Sequence, residues 1–287
     1  MTKKQPIAIP FHHRLQYGFG DIVRTWLMPD SWCGVLENLS KEKKIHLLVC
    51  CHNGNAIQFF KYTPYIIPHW IIWKGHSPPY QQIARRIPAK LMTQEERASI
   101  CKKYRYKTTD IHLSPAENEI FHQITAEPYV VIHPFAGNKN RMPIDPKHYR
   151  ILIDMLIEQT GQKVVVIGGS FQRHKRFKTI PGRDINEEFD YERPGLTNLV
   201  NKTTLRLPTK LVIASRCFFG NWSAFLCAAW ERKIPAIVFF GEQGKNIPNN
   251  KNFKRRWHNK CFAIKANSAP PKKIFANAVE QYIENIN

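Results

Sequence analysis

Acidic residues are scarce in this chain. Only 22 Asp and Glu stand against 43 Lys and Arg in 287 residues, leaving a formal charge of +21 with 12 histidines besides. Such an excess costs self-repulsion in any compact state, so it informs on partners rather than on fold. It suits a polyanion: nucleic acid, an anionic membrane face or a phosphorylated glycolipid. The alternative is a basic surface that is merely solvated. Cysteine is present but unorganised. The seven thiols form no Cys-x-x-Cys pair and no Cys/His ligand spacing, and adjacent Cys50 and Cys51 lie in an apolar run where thiols behave as small hydrophobes. No uninterrupted apolar stretch reaches the roughly 18 residues of a membrane span. The opening "MTKKQPIAIPFHH" is basic, but its apolar stretch is short and broken by proline, unlike a secretory signal. A soluble, cytoplasmic chain in a reducing compartment is therefore expected. No Asp-x-Asp motif stands at a strand end, and there is no internal repeat or low-complexity tract, so neither a metal nor another cofactor is expected.

What remains is the composition of a folded protein, 43% hydrophobic and 12% aromatic, long enough for two domains with separate cores. "PIAIPF" reads as a short strand, "KKIHLLVCCH" as a buried parallel strand, and "NAIQFFKYTPYIIPHWIIWKG" as a helix, a proline break and another strand. Residues 75–125 hold a helical "TQEERASICKKYRYK" and an acidic helix start, "SPAENEIFHQI". The second half alternates cleanly. "PYVVIHPFAG" is a strand ending in a glycine turn, and "DPKHYRILIDMLIEQTG" is a helix with Asp145 at its cap, Pro146 in its first turn and Gly161 past its end. "QKVVVIGGS", "LPTKLVIASRCFFGN", "SAFLCAAWERK" and "PAIVFFGEQG" continue the alternation, and "KIFANAVEQYIENI" is a closing amphipathic helix. The pattern predicts an α/β protein of two doubly wound parallel sheets facing across a cleft. The boundary is expected near Glu127, giving domains 1–126 and 127–287, with the C-terminal helix packing back on the first.

Three strand ends in the second half carry small residues. "HPFAGNKNRMP" offers Gly137, Asn138, Lys139 and Arg141; "VIGGS" offers Gly168, Gly169 and Ser170; "FFGNWSAF" offers Gly220, Asn221, Trp222 and Ser223 just before a helix. Small residues let backbone N–H groups approach an anion, a helix N-terminus adds partial positive charge, and lysine or arginine neutralises phosphate. That combination suits a diphosphate, although a glycine after a strand is by itself only a turn.

The segment from Val130 to Gly241 resembles the donor-binding half of glycosyltransferase family 9, the lipopolysaccharide heptosyltransferases, which have a two-lobed GT-B fold. The resemblance rests on His133-Pro134-Phe135-Ala136-Gly137, Asn140-Arg141-Met142-Pro143, Gly168-Gly169, Asn201-Lys202-Thr203-Thr204-Leu205, Gly220-Asn221-Trp222-Ser223 and Lys233-Ile234-Pro235. It implies an inverting, metal-independent transferase that takes a nucleotide-sugar as co-substrate, and it adds Thr203 to the donor-binding residues. Near the N-terminus, Tyr17-Gly18-Phe19-Gly20-Asp21-Ile22-Val23 occupies the place of the family's Gly-Asp-Val turn. The resemblance makes Asp21 the general base for an acceptor hydroxyl, as inverting transfer requires; the plain alternative is a helix N-cap. One departure is large. Where the family has Asp-Ser-Gly-Pro-Met-His, this chain has Trp222-Ser223-Ala224-Phe225-Leu226-Cys227, losing both the acid and the histidine. Trp222 can stack on a base or a sugar, or simply belong to the core. A donor other than ADP-heptose is expected.

Basic clusters stand apart from these motifs: Lys102, Lys103 and Arg105; Lys175 and Arg176; Lys254, Arg255 and Arg256; and, near the first turn, His12, His13 and Arg14. Three of them interleave aromatics with cations, as do surfaces that track a phosphodiester backbone. A polyanionic acceptor follows, with DNA bearing a hydroxylated base, as in phage-type modification, narrowly preferred over lipopolysaccharide core. A catalytically inactive polyanion-binding protein is the reading of a different class. The sequence leaves the oligomeric state open.

Overall fold

The computed structural model describes residues 5–11, 19–28, 31–50, 54–71, 80–104, 107–135, 143–168, 189–241 and 260–286. The chain divides into two compact units, Met1–Ser114 and Pro115–Asn287.

The first unit runs β1 (Gln5–Pro10), α1 (Phe19–Leu27), a one-turn α2 (Leu36–Leu39), β2 (Lys43–Cys50), β3 (Ile67–Ile71), α3 (Tyr80–Arg86), β4 (Lys90–Leu91) and α4 (Gln94–Lys103). Its sheet has the order β3-β2-β1-β4, and every pairing is parallel. Alternation sorts the side chains. Ala8 and Leu48 point to the face covered by Ala84 of α3 and its neighbours Tyr80 and Ile83. On the other side Trp26 of α1 is buried edge-on to Phe60 at 5.0 Å, and its indole N–H donates to the Asp110 carbonyl at 3.0 Å. The expected helix over "NAIQFF" is a 3₁₀ segment, Gly54–Phe60, and β3 contains Pro68. An edge strand tolerates proline because one side of it needs no ladder bond. The helix at "QEERASICKK" opens on a capping box, with Thr93 and Glu96 bonding each other's backbone N–H.

The second unit runs α5 (Pro115–Thr125), β5 (Tyr129–His133), α6 (Tyr149–Thr160), β6 (Lys163–Val166), β7 (Leu196–Asn198), α7 (Arg206–Ala214), β8 (Phe218–Gly220), α8 (Ala224–Glu231), β9 (Ala236–Phe240), β10 (Cys261–Lys265) and α9 (Pro271–Asn285). Its six strands are all parallel in the order β10-β9-β8-β5-β6-β7. Counted from β5, this is the Rossmann order 3-2-1-4-5-6. Asp145 accepts from the Lys147 N–H at the start of the helical stretch leading into α6, and Gly161 closes α6 in the left-handed region at φ 65°. The strands are buried as the apolar runs require, with Val130, Val131, Ile132, Val164, Phe218 and Ile237 wholly inaccessible.

The second unit begins at Pro115, a helix earlier than the expected boundary near Glu127. The helix α5 is fastened to it by a buried ion pair from Glu117 to Arg206 at the start of α7. Within the same unit α9 buries Ile274, Phe275, Ala278, Val279 and Tyr282 in the core.

The end of α8 carries a local strain. Ile234 N–H bonds the Ala229 carbonyl at 2.8 Å and Lys233 N–H bonds that of Trp230 at 3.1 Å, the paired bonds of a Schellman motif. The residue at its left-handed position is Lys233, at φ 55°, where glycine is favoured. Lys233→Gly is therefore expected to raise unfolding stability by about 0.5–1 kcal/mol, the left-handed penalty less the added chain entropy. Equilibrium urea denaturation checks this; an unchanged or lower midpoint contradicts it.

Candidate functional site

In an open parallel sheet, ligands bind beyond the carboxyl ends of the strands where the chain reverses its direction of winding. In the second unit this crossing lies between β5 and β8. The chain leaves β5 toward β6 and β7, then returns to lay β8 on the other side of β5. Several of the described motif residues stand at that edge: His133 to Phe135 at the end of β5, Gly168 after β6, and Gly220 to Ser223 at the end of β8.

The two strand ends approach too closely for side chains. A Cβ on Gly220 would sit 2.6 Å from the His133 carbonyl oxygen, and one on Gly168, at φ 128°, would sit 2.5 Å from the Phe135 ring. Asn221 then locks the crossing. Its side-chain amide donates to the Pro134 carbonyl at 2.8 Å, and its Oδ1 accepts from the Tyr149 hydroxyl at 3.0 Å. A carbonyl can only accept, so the orientation of this amide is fixed. Both Asn221 and Tyr149 are wholly buried, and burial pushes the Tyr149 hydroxyl pKa up, partly opposed by its bond to Asn221. Breaking either bond leaves a buried polar atom unsatisfied, a loss of about 1–3 kcal/mol. Asn221, expected to touch the donor, is therefore a fastener of the site. Tyr149, 72 residues away, carries no sequence signal for this role.

Trp222 is half-buried and meets Trp230 edge-to-face at 5.7 Å. Ser223 caps α8, its hydroxyl oxygen accepting the Leu226 N–H at 3.4 Å. Thr203 lies in the loop between β7 and α7, where its buried hydroxyl makes no hydrogen bond among the described residues. A depression of about 410 Å³ beside β7 is lined by Phe189, Asp190, Glu192, Asn198, Val200, Asn201 and Lys202 and carries both signs of charge.

His133, the last residue of β5, is marked in the sequence only by its place in the His-Pro motif. It is 5% exposed, faces the Phe225 ring edge-on at 4.8 Å, and its Nδ1 has no hydrogen-bond partner among the described residues. Burial depresses its pKa to about 3, so it is neutral under ordinary conditions.

In the first unit, β1 and β4 flank the corresponding crossing, and α1 follows β1. Asp21 is the third residue of α1, inside its first turn rather than at the N-cap. The basic cluster of this unit is partly neutralised. Lys103 bonds Glu42 at 2.9 Å, Tyr104 bonds the same carboxylate, and Lys107 lies 3.7 Å from Glu37. The hydroxyl of Tyr104 and the ammonium of Lys103 hold the Glu42 carboxyl below its usual range. Of the expected acceptor surface, exposed Lys102 is left unassigned. His12, His13, Arg14, Arg105, Lys175, Arg176, Lys254, Arg255 and Arg256 lie outside the described residues, as do Gly137, Asn138, Lys139, Arg141, Gly169 and Ser170. Among the described residues no three His, Cys, Asp or Glu side chains gather as a metal site, and no helix is long and apolar enough to cross a membrane.

The His133 environment gives a pH dependence. Between its unfolded value of 6.5 and its folded value of about 3, the unfolded chain binds more protons, so stability falls as pH is lowered through that window. The contribution is on the order of 4–5 kcal/mol by pH 3. Denaturation curves from pH 7 to 4 are expected to decline more steeply for the natural protein than for His133→Phe, which keeps a ring but cannot titrate. Parallel curves contradict this.

No protein-family model matches the sequence, and no curated protein matches it significantly. Solved structures do. The chain is similar to the Escherichia coli ADP-heptose lipopolysaccharide heptosyltransferase II, with a TM-score of 0.57 and 12% identity, over 98% of this chain and 99% of that one. It is also similar to a glycosyl transferase family 9 protein of Veillonella parvula, with a TM-score of 0.51 and 11% identity, over 99% and 90%. In fold, then, this chain is a two-unit, Rossmann-type α/β protein like the family 9 glycosyltransferases, along its whole length.

Proposed function

We propose that this protein is a nucleotide-sugar-dependent, inverting glycosyltransferase whose acceptor is a hydroxyl on a phosphorylated glycolipid of the lipopolysaccharide-core type. The observation that carries the reading is the likeness in fold to a heptosyltransferase over essentially the full length of both chains; the described residues His133 to Phe135, Gly168 and Gly220 to Ser223 at the crossing of the second sheet support it. In this reading the donor's diphosphate lies over the start of α8, where Ser223 and backbone N–H groups meet it, with Thr203 beside it and Lys139 and Arg141 taking up charge on the leaving group. The acceptor oxygen attacks the anomeric carbon, the bond to the diphosphate breaks, and the Asp21 carboxylate takes the hydroxyl proton. Trp222 and Cys227, replacing the family's acid and histidine, support a sugar other than heptose.

Hydroxylated DNA, the acceptor narrowly preferred from the sequence, finds no support in the comparisons. The pairing of Lys103 and Lys107 with acids also weakens the case for a phosphodiester track. The surplus charge suits the phosphates of a lipopolysaccharide core equally well.

Transfer from a panel of ADP- and UDP-sugars onto lipopolysaccharide core oligosaccharide, read as a mass increment, tests the reading, with hydroxymethylated duplex DNA as the parallel arm. Asp21→Asn is expected to lower kcat by about 10²–10⁴-fold while donor binding persists. Full activity in that variant removes Asp21 as the base, and transfer to DNA alone overturns the acceptor.

A further inference from the structure

The buried ion pair of the second unit has a place in the site as well as in the fold. Glu117, the third residue of α5, uses both carboxylate oxygens on one short stretch of chain. Its Oε2 accepts from Nε and Nη2 of Arg206 at 3.1 and 3.0 Å, and its Oε1 accepts from the Thr204 hydroxyl. Glu117 is 8% exposed and Arg206 3%. The other end of the same loop is also held. The Asn201 N–H donates to the Gly168 carbonyl at 2.9 Å, and Asn201 takes the left-handed conformation at φ 60° that this turn requires. Between the two attachments stand Lys202 and Thr203, one exposed ammonium and one buried hydroxyl that the described protein leaves without a hydrogen bond.

We propose that Glu117 is a positioning residue for donor binding: through Thr204 and Arg206 it sets the β7–α7 loop so that Thr203 and Lys202 are presented to the donor's phosphates. This rests on the glycosyltransferase reading above. Glu117 itself touches no substrate. The arrangement explains why a carboxylate and a guanidinium, costly to bury, occupy a place that two apolar residues could fill with equal or better stability. It also explains the geometry: a carboxylate has acceptor sites for Arg206 and Thr204 at once, so one group fixes both the loop and the first turn of α7.

The test separates positioning from folding. Thr204→Val removes only the hydroxyl bonded to Oε1, at an exposed position. The double variant Glu117→Met with Arg206→Leu replaces the ion pair by apolar side chains and is expected to stay folded. Calorimetric titration with ADP and with UDP is the readout, followed by KM and kcat with whichever nucleotide-sugar is accepted. Thr204→Val is expected to weaken nucleoside diphosphate binding by about 3- to 10-fold while the protein stays cooperatively folded, its melting temperature lowered by roughly a few degrees at most. The double variant is expected to weaken it more, with KM for the donor rising and kcat at saturation preserved. Wild-type affinity in both folded variants overturns the role of Glu117. Failure of the natural protein to bind either nucleotide overturns the glycosyltransferase reading itself, and the proposal with it.

Discussion

The second unit depends on the contact between the carboxyl ends of β5 and β8. Gly220 lies so close to the His133 carbonyl that no Cβ fits between them, and Asn221 bonds the Pro134 carbonyl across the gap while Tyr149 holds Asn221 from behind. Each of these polar groups is buried, so each bond is enforced by the penalty for leaving it unmade. Backbone on both sides of the crossing is thereby fixed before any ligand arrives. The proposed diphosphate site would benefit from such rigidity, since hydrogen-bond donors already aimed need no reorganisation.

Scarcity of acid shapes the rest of the molecule. Many of the described acidic side chains are occupied by cations of the same unit: Glu42 by Lys103, Glu37 by Lys107, Glu96 by Lys90, Glu127 by Lys163, Asp154 and Glu158 by Arg193, and Glu117 by Arg206. The exposed pairs add little stability, because solvent screens them and holding two long side chains together costs entropy. Each pair is neutral as a unit, so the +21 set by composition is carried by the lysines and arginines left over. Among the described pairs, Glu117–Arg206 alone is buried deeply enough for its geometry to matter to the chain around it.

Much of this was legible in the residues. Apolar runs mark β5, β6, β8 and β9 because strands covered on both faces need no alternation. The Asp145, Pro146 and Gly161 signals bracket α6 because helix ends have chemical requirements that only certain residues meet. Three-residue β7, two-residue β4 and the mixed "CFAIK" of β10 carry no periodicity long enough to see. The start of the second unit is hidden because α5 looks like a polar linker helix until Arg206, 89 positions on, meets Glu117. The same limit hid the site's fasteners. Asn221 reads as a ligand residue when seen only beside Gly220, Trp222 and Ser223, and Tyr149 and Pro134 become its partners only after folding.

The central claim is that the crossing of the second sheet holds a nucleoside diphosphate. Backbone amide NMR of the full chain, titrated with ADP and with UDP, addresses it most directly. The account predicts that at least one of the two shifts a contiguous set of resonances from residues 133–135, 168, 201–205 and 220–226, leaving the β10 edge and the helix at 271–285 unmoved. Shifts confined to other parts of the chain, or none at millimolar nucleotide, contradict it.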